Sequence, residues 1–273
     1  MSQPVVLVTG ASSGIGESTA IKLAAQGAIA YGAARHVDKM QKLADLGIHV
    51  LHLDVTDDDS ARSTIDQILE EQGRIDILIN NAGYGSYGAV EDVPIEEARH
   101  QLDVNVLGVA RLTKLVLPSM RYQRSGKIIN IASMGGKMWT PFGAYYHATK
   151  YALEGFSDAL RLEVEPFGIK VVVIEPGAIE SNWSNIALDN LRKTSGNGPY
   201  AEAVAQQIKK LGSVYSHNPL LTKSVTLGRK IGRVALSAKP RTRYLTGLGA
   251  KPAVFLAKVL PNRVFDKLSR RFM

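Results

Sequence analysis

Cysteine is absent from all 273 residues. That excludes disulfides and thiolate zinc sites, and no metal is expected. Long apolar runs are missing as well. No stretch approaches the roughly 18 residues that a membrane-spanning helix needs. The first apolar run, "PVVLVTG" at 4–10, is too short for a secretory signal and has no basic region before it, so a cytoplasmic protein is expected. Acids are scarce in one place only. Residues 223–273 hold thirteen Lys/Arg and one acid, Asp266, a local charge of +12 that leaves −4 for the rest of a chain with net charge +8. A mildly acidic body with a basic tail is not a chain that is basic throughout, and no nucleic-acid partner is expected.

What is present suits a soluble α/β protein with a sizeable core. Hydrophobic residues make up 45% and charged residues 21%. Seven runs rich in β-branched residues recur at 4–10, 28–34, 49–55, 75–81, 126–133, 169–176 and 243–247. Several are nearly continuous in Val, Ile and Leu, as parallel strands buried on both faces are. Segments with helical spacing, such as 57–72 and 94–122, lie between them. This alternation predicts an α/β fold: a doubly wound parallel β-sheet (Rossmann fold) of about seven strands with helices on both faces. No linker divides the chain, so 1–273 is read as one dinucleotide-binding catalytic domain. Two parts stand apart: a segment at about 181–222, rich in Asn, Ser and Gly, read as a cover over the substrate, and a basic C-terminal extension at about 250–273.

The first strand ends in "TGASSGIG". Gly10, Gly14 and Gly16, with Ser12, Ser13 and Ile15 between them, sit where a strand turns into a helix. Such a turn lets a pyrophosphate approach the free N–H groups of a helix N-terminus. The context, at the head of a strand–helix–strand unit, is what gives a glycine pattern meaning.

The spacing T-G-x-x-x-G-x-G resembles that of the short-chain dehydrogenase/reductase family. "NNAG" at 80–83, Asp54, Ser133, "YHATK" at 146–150 and "PG" at 176–177 follow in the family's order, and the resemblance covers about residues 4–180. It implies an oxidoreductase that interconverts an alcohol and a carbonyl with NAD(P). It implies that Asp54 and Val55 meet the adenine, that Asn81, Ala82 and Gly83 line the cofactor, and that Pro176, Gly177 and Ile179 lie at its nicotinamide end. Where the family has a threonine on the nicotinamide amide, this chain has Ser181. A second reading makes Asp54 a cap for the helix starting near Thr56. "NNAGYGSYGAVED" and "RYLTG" look most like the branch with hydroxysteroid and retinol dehydrogenases.

At the end of the second strand, an NAD-preferring site needs a carboxylate for the ribose hydroxyls. Here Ala34 occupies that place and Arg35 follows. An arginine can bind a 2′-phosphate in two-pronged fashion, which favours NADP(H) over NAD(H), with Ser12 or His36 assisting.

"AYYHATK" at 144–150 offers two tyrosines near one lysine. Residues on a helix advance by about 100° each, so Tyr146 shares a face with Lys150 while Tyr145 points elsewhere. A free phenol, with a pKa of about 10, is a poor acid/base near neutrality, and a neighbouring ammonium, together with the positive nicotinamide ring of an oxidised cofactor, is expected to pull it down. Tyr146 is therefore the expected general acid in reduction, with Lys150 beside it, also holding the nicotinamide ribose by resemblance. His147 is expected at a surface or interface. The resemblance makes Ser133 the donor to the substrate oxygen and gives Asn105 a local helix break that passes water to Lys150; a core amide satisfied by backbone is the other reading of Asn105. Tyr84, Tyr87, Met134, Trp139, Phe142 and Trp183 are candidate pocket residues for a hydrophobic carbonyl or alcohol substrate. A homo-oligomer, dimer or tetramer, is a family expectation. The tail "KPAVFLAKVLPNRVFDKLSRRFM" has three readings: a weak membrane-surface contact, a subunit interface, or a helix packed by its apolar side.

Overall fold

Each of the seven β-branched runs forms a strand in one all-parallel sheet. The structure, a computed structural model, describes residues 3–215, 218 and 220–272; positions 216, 217 and 219 of the expected cover lie outside them. The strands are β1 (Val5–Thr9), β2 (Ile29–Ala34), β3 (His49–His52), β4 (Ile77–Asn80), β5 (Gly126–Ile131), β6 (Ile169–Pro176) and, after two short strands β7 (Ile179–Glu180) and β8 (Thr222–Lys223), β9 (Arg243–Thr246). Their order is β3-β2-β1-β4-β5-β6-β9. β7 and β8 pair separately.

Successive residues of β1 serve opposite faces, as strand geometry requires. Val6 and Val8 join the core under helices α1 (Gly14–Ala24) and α9 (Ser224–Leu236), where Leu23 packs with Leu227 and Ile231. Val5 and Leu7 join the core under α3 (Asp58–Gln72), α5 (Gly108–Tyr122) and α6 (Ala144–Val164), with Ile68, Val116 and Leu160. A short α2 (Gln41–Asp45) follows β2, and α4 (Ile95–Leu102) precedes α5. The strand order reverses between β1 and β4. In open α/β sheets, the crevice beyond the carboxyl ends at such a point is where ligands bind.

The helical segment 94–122 carries the local break that the resemblance implies at Asn105: a wide π-type turn, Asp103–Leu107, separates α4 from α5. The basic extension is two helices, α10 (Ala250–Val259) and α11 (Asn262–Phe272), seated on the body through buried Ala250, Phe265 and Ser269. The cover segment folds as α7 (Trp183–Ser195) and α8 (Ala201–Tyr215), between the paired strands β7 and β8. Among the described residues no helix is long and apolar enough to cross a membrane.

Candidate active site

The loop after β1 is shaped by crowding. Gly10 and Gly14 have φ of +65° and +60°, a region that L side chains rarely adopt. At Gly16 the limit is space: an added Cβ would lie 2.3 Å from the Gly10 carbonyl oxygen. Sequence reasoning missed what pins this loop. The Thr9 hydroxyl accepts from the N–H groups of Asn81 and Ala82, both at 3.0 Å, and the Asn81 side chain donates to the Thr9 carbonyl at 2.9 Å. Asn81 thus ties the loop to the end of β4. Ser13 makes no capping side-chain bond to α1, and Ser13, Gly14 and Ile15 at the start of that helix line open space.

That space is one cavity of about 900 Å³ across the carboxyl ends of the strands. Every residue expected on the cofactor side lines it except Gly16, which packs behind its wall. The left-handed glycines, the uncapped helix start and the small residues at 81–83 fit a dinucleotide pyrophosphate, judged by the shape of the wall alone. At the end of β2, buried Ala34 presents no carboxylate, and exposed Arg35 and His36 line the same cavity. Burial pushes the Asp54 carboxyl up. The N–H and hydroxyl of Thr56, at 2.9 and 2.7 Å, outweigh it together with the Arg35 charge and hold it below the usual range. The cap of α3 is Asp57, which accepts from the Ser60 N–H at 2.6 Å; Asp54 does not cap it.

β5 ends at Ile131, and Ser133 starts a tight turn over Met134–Gly136 in which its oxygen accepts from the Gly135 N–H at 3.0 Å. Tyr146 and Lys150 are buried, one helical turn apart at the start of α6. The ammonium donates to the Ile131 carbonyl at 3.0 Å and stands 5.9 Å from the centre of the Tyr146 ring. Tyr145 is half-exposed and off the cavity. Lys150 by itself does not lower the Tyr146 phenol. Burial pushes it well above its ordinary value, against a hydrogen bond with Ser133 that lowers it. Burial lowers Lys150 to about 8, opposed by the Glu154 charge.

Asn105 does not reach the cavity. Its amide oxygen accepts from the Tyr84 N–H at 3.1 Å, and its amide nitrogen donates to the Tyr84 carbonyl at 2.9 Å and to Thr149 at 3.1 Å. The helix break is there, and backbone satisfies much of the amide. His147 is buried rather than superficial: one ring nitrogen accepts from the Thr140 N–H at 3.0 Å, the other meets the Gly135 carbonyl at 2.9 Å, and burial lowers its pKa.

Past Tyr146 the cavity is lined mainly by apolar and aromatic groups. Tyr87 and Trp183 pack on Tyr146, with ring centres at 5.6 and 5.2 Å, and Tyr84 and Met134 join the wall. The far wall comes from the cover (Leu211, Val214) and from the C-terminal helices (Ala253, Leu256, Leu268). Trp139 and Phe142 are not in it. The Trp139 indole donates to Asp266 at 2.9 Å and meets Phe265 edge-on, anchoring α11. Phe142, at φ +63°, turns into a separate groove against Tyr200. Aromatic content near Ser133 could not separate these places.

Behind the site lies a charged cluster that sequence reasoning also missed. Glu154 on α6 and Glu175 on β6 are both buried. Arg243 of β9 donates to Glu154 at 3.0 Å and lies 3.4 Å from Glu175, while Lys137 stands 3.1 Å from Glu154. The cluster joins the segment just after the Ser133 turn, the helix of Tyr146 and Lys150, and the strand that ends in Pro176.

A family model described as "short chain dehydrogenase" matches residues 4–190. A 3-ketodihydrosphingosine reductase of Bacteroides thetaiotaomicron is 43% identical over 211 residues, covering 77% of this chain and 76% of that protein. An NADPH-dependent 3-dehydrocapnine reductase of Ornithobacterium rhinotracheale is 32% identical, covering 96% of this chain and 94% of that one. A solved short-chain dehydrogenase from Streptomyces avermitilis superposes with a TM-score of 0.81 at 32% identity, covering 98% of this chain and 96% of that one. The chain belongs to the short-chain dehydrogenase/reductase family, oxidoreductases that act between CH–OH and C=O with a nicotinamide cofactor.

Proposed function

We propose that this chain is an NADPH-dependent reductase of a ketone carried on a long apolar chain. The observation that carries the reading is the continuity of the cavity, from the uncapped start of α1 and Arg35, past Tyr146, to an apolar end walled by α7, α8, α10 and α11. Arg35 in place of a carboxylate favours a 2′-phosphate. The two reductases above are named for 3-ketodihydrosphingosine and 3-dehydrocapnine, which accords with a keto-lipid class here.

The bound nicotinamide supplies the hydride to the carbonyl carbon. Tyr146 donates its proton to the carbonyl oxygen. A phenol pushed up by burial stays protonated throughout the neutral range, the state a general acid for reduction requires. Ser133, whose oxygen accepts from the Gly135 N–H, turns its hydroxyl from Tyr146 to the developing charge on the substrate oxygen. Lys150, oriented by the Ile131 carbonyl, places a positive charge beside the phenol as it loses its proton. Tyr87 and Trp183 hold the chain next to the ketone and exclude water.

The test is a series of 3-keto compounds of increasing alkyl length, with NADPH or NADH consumption as readout. Each methylene that enters the apolar end adds about 0.8 kcal/mol, about fourfold in kcat/KM, until the cavity is full. A value independent of chain length, or a preference for NADH, would overturn the reading.

A further inference from the structure

α10 carries an exposed apolar stripe. Pro252, Phe255, Leu256 and Val259 follow one another at helical spacing, and Phe255 and Val259 are 63% and 53% exposed. Pro252 and Leu256 are exposed and at the same time line the cavity, so the stripe includes part of the cavity's rim. Exposed cations lie beside it on α10 and on the next helix. Lys251 and Lys258 flank the stripe on α10. On α11, Arg263, Val264, Lys267 and Arg270 project from one face, opposite buried Phe265. The one acid in this region, Asp266, is turned inward and bonded to Trp139. An apolar stripe beside exposed cations, on two helices whose single acid is turned inward, matches the interface of a bilayer with anionic headgroups.

We propose that α10 and α11 form a docking surface for an anionic lipid bilayer, and that the cavity rim at Pro252 and Leu256 opens against it. A second copy of this chain is the poorer occupant, because a symmetric contact would set the cations of one copy against those of the other. The docking stands on α10 and α11 alone. The consequence that substrate enters from the bilayer rests on the reductase reading above.

The test sediments the full chain with vesicles of phosphatidylglycerol and phosphatidylcholine, and with phosphatidylcholine alone. Binding is expected with the first, to weaken as salt screens it, and to be far lower with the second. Neutralising Lys258, Arg263 and Lys267 to alanine together removes three cations at about fivefold each, roughly a hundredfold in vesicle affinity. The double variant Phe255→Ser/Val259→Ser lowers binding independently of salt. A short, water-soluble ketone should be reduced at the wild-type rate by the charge variant, while a long-chain ketone presented in vesicles is reduced more slowly. Failure of both proteins on the soluble ketone refutes the catalytic reading and leaves docking to be judged by sedimentation. No binding to anionic vesicles, equal binding to neutral ones, or self-association that Phe255→Ser abolishes would overturn the docking surface.

Discussion

Arg243→Met tests the charged cluster behind the site. The guanidinium is the partner shared by Glu154 and Glu175, whose side chains are 6% and 5% exposed. Its removal leaves two buried carboxylates with Lys137, at 3.1 Å from one and 3.9 Å from the other. Breaking a buried charge pair from one side costs about 3–5 kcal/mol. Protonation limits that cost. Burial and the neighbouring Glu154 charge already push Glu175 up to about 7, and loss of the arginine pushes it further. A carboxyl whose pKa is raised on folding binds more protons folded than unfolded, so its stability is fully present below the unfolded value and is lost as pH rises towards the folded one. The cost should therefore be about 3 kcal/mol at pH 8 and shrink by up to about 1.4 kcal/mol per unit of acidification. At roughly 2–4 °C per kcal/mol, the melting temperature falls by about 6–12 °C at pH 8 and by clearly less at pH 6. Thermal unfolding followed by circular dichroism at the two pH values measures this. A change under about 2 °C at pH 8, or a larger loss at pH 6, would refute the assignment.

Two further outcomes concern the cofactor and the proton. Arg35→Ala should raise KM for NADPH about tenfold or more, since a charge-assisted hydrogen bond contributes about 1.5–3 kcal/mol, and leave KM for NADH nearly unchanged; steady-state kinetics with both cofactors decides it. Lys150 is lowered by burial to about 8, so its charge is present below that value and lost above it, and kcat/KM for reduction should fall as pH rises through about 8. A profile flat to pH 10 would speak against the lysine.

Much of the frame was legible because it is periodic. Buried parallel strands read as continuous runs of Val, Ile and Leu, and all seven runs became strands. The choice of Tyr146 over Tyr145 followed from helix geometry and from the family spacing that YHATK resembles, and of the two the structure turns only Tyr146 into the cavity. What stayed hidden depends on contacts between distant residues. Arg243 meets Glu154 across 89 positions, and Trp139 meets Asp266 across 127. Nothing in the local pattern of either partner announces such a pairing. The C-terminal helices show the same limit: spacing displayed their amphipathic character, but not that Leu256 and Leu268 would line the cavity. That burial raises the Tyr146 phenol in the chain itself was not legible, because the neighbouring lysine is visible in the sequence and the depth of burial is not.

The central claim is that one phenol, Tyr146, delivers the proton in an NADPH-dependent ketone reduction. The most direct measurement is NADPH turnover with a long-chain 3-keto substrate in Tyr146→Phe and Tyr145→Phe, alongside NADPH binding by fluorescence. The account predicts turnover reduced at least 100-fold in Tyr146→Phe with NADPH still bound, as expected for loss of a general acid worth about 10²–10⁴, and little change in Tyr145→Phe. Equal losses in the two variants, or full activity in Tyr146→Phe, would contradict it.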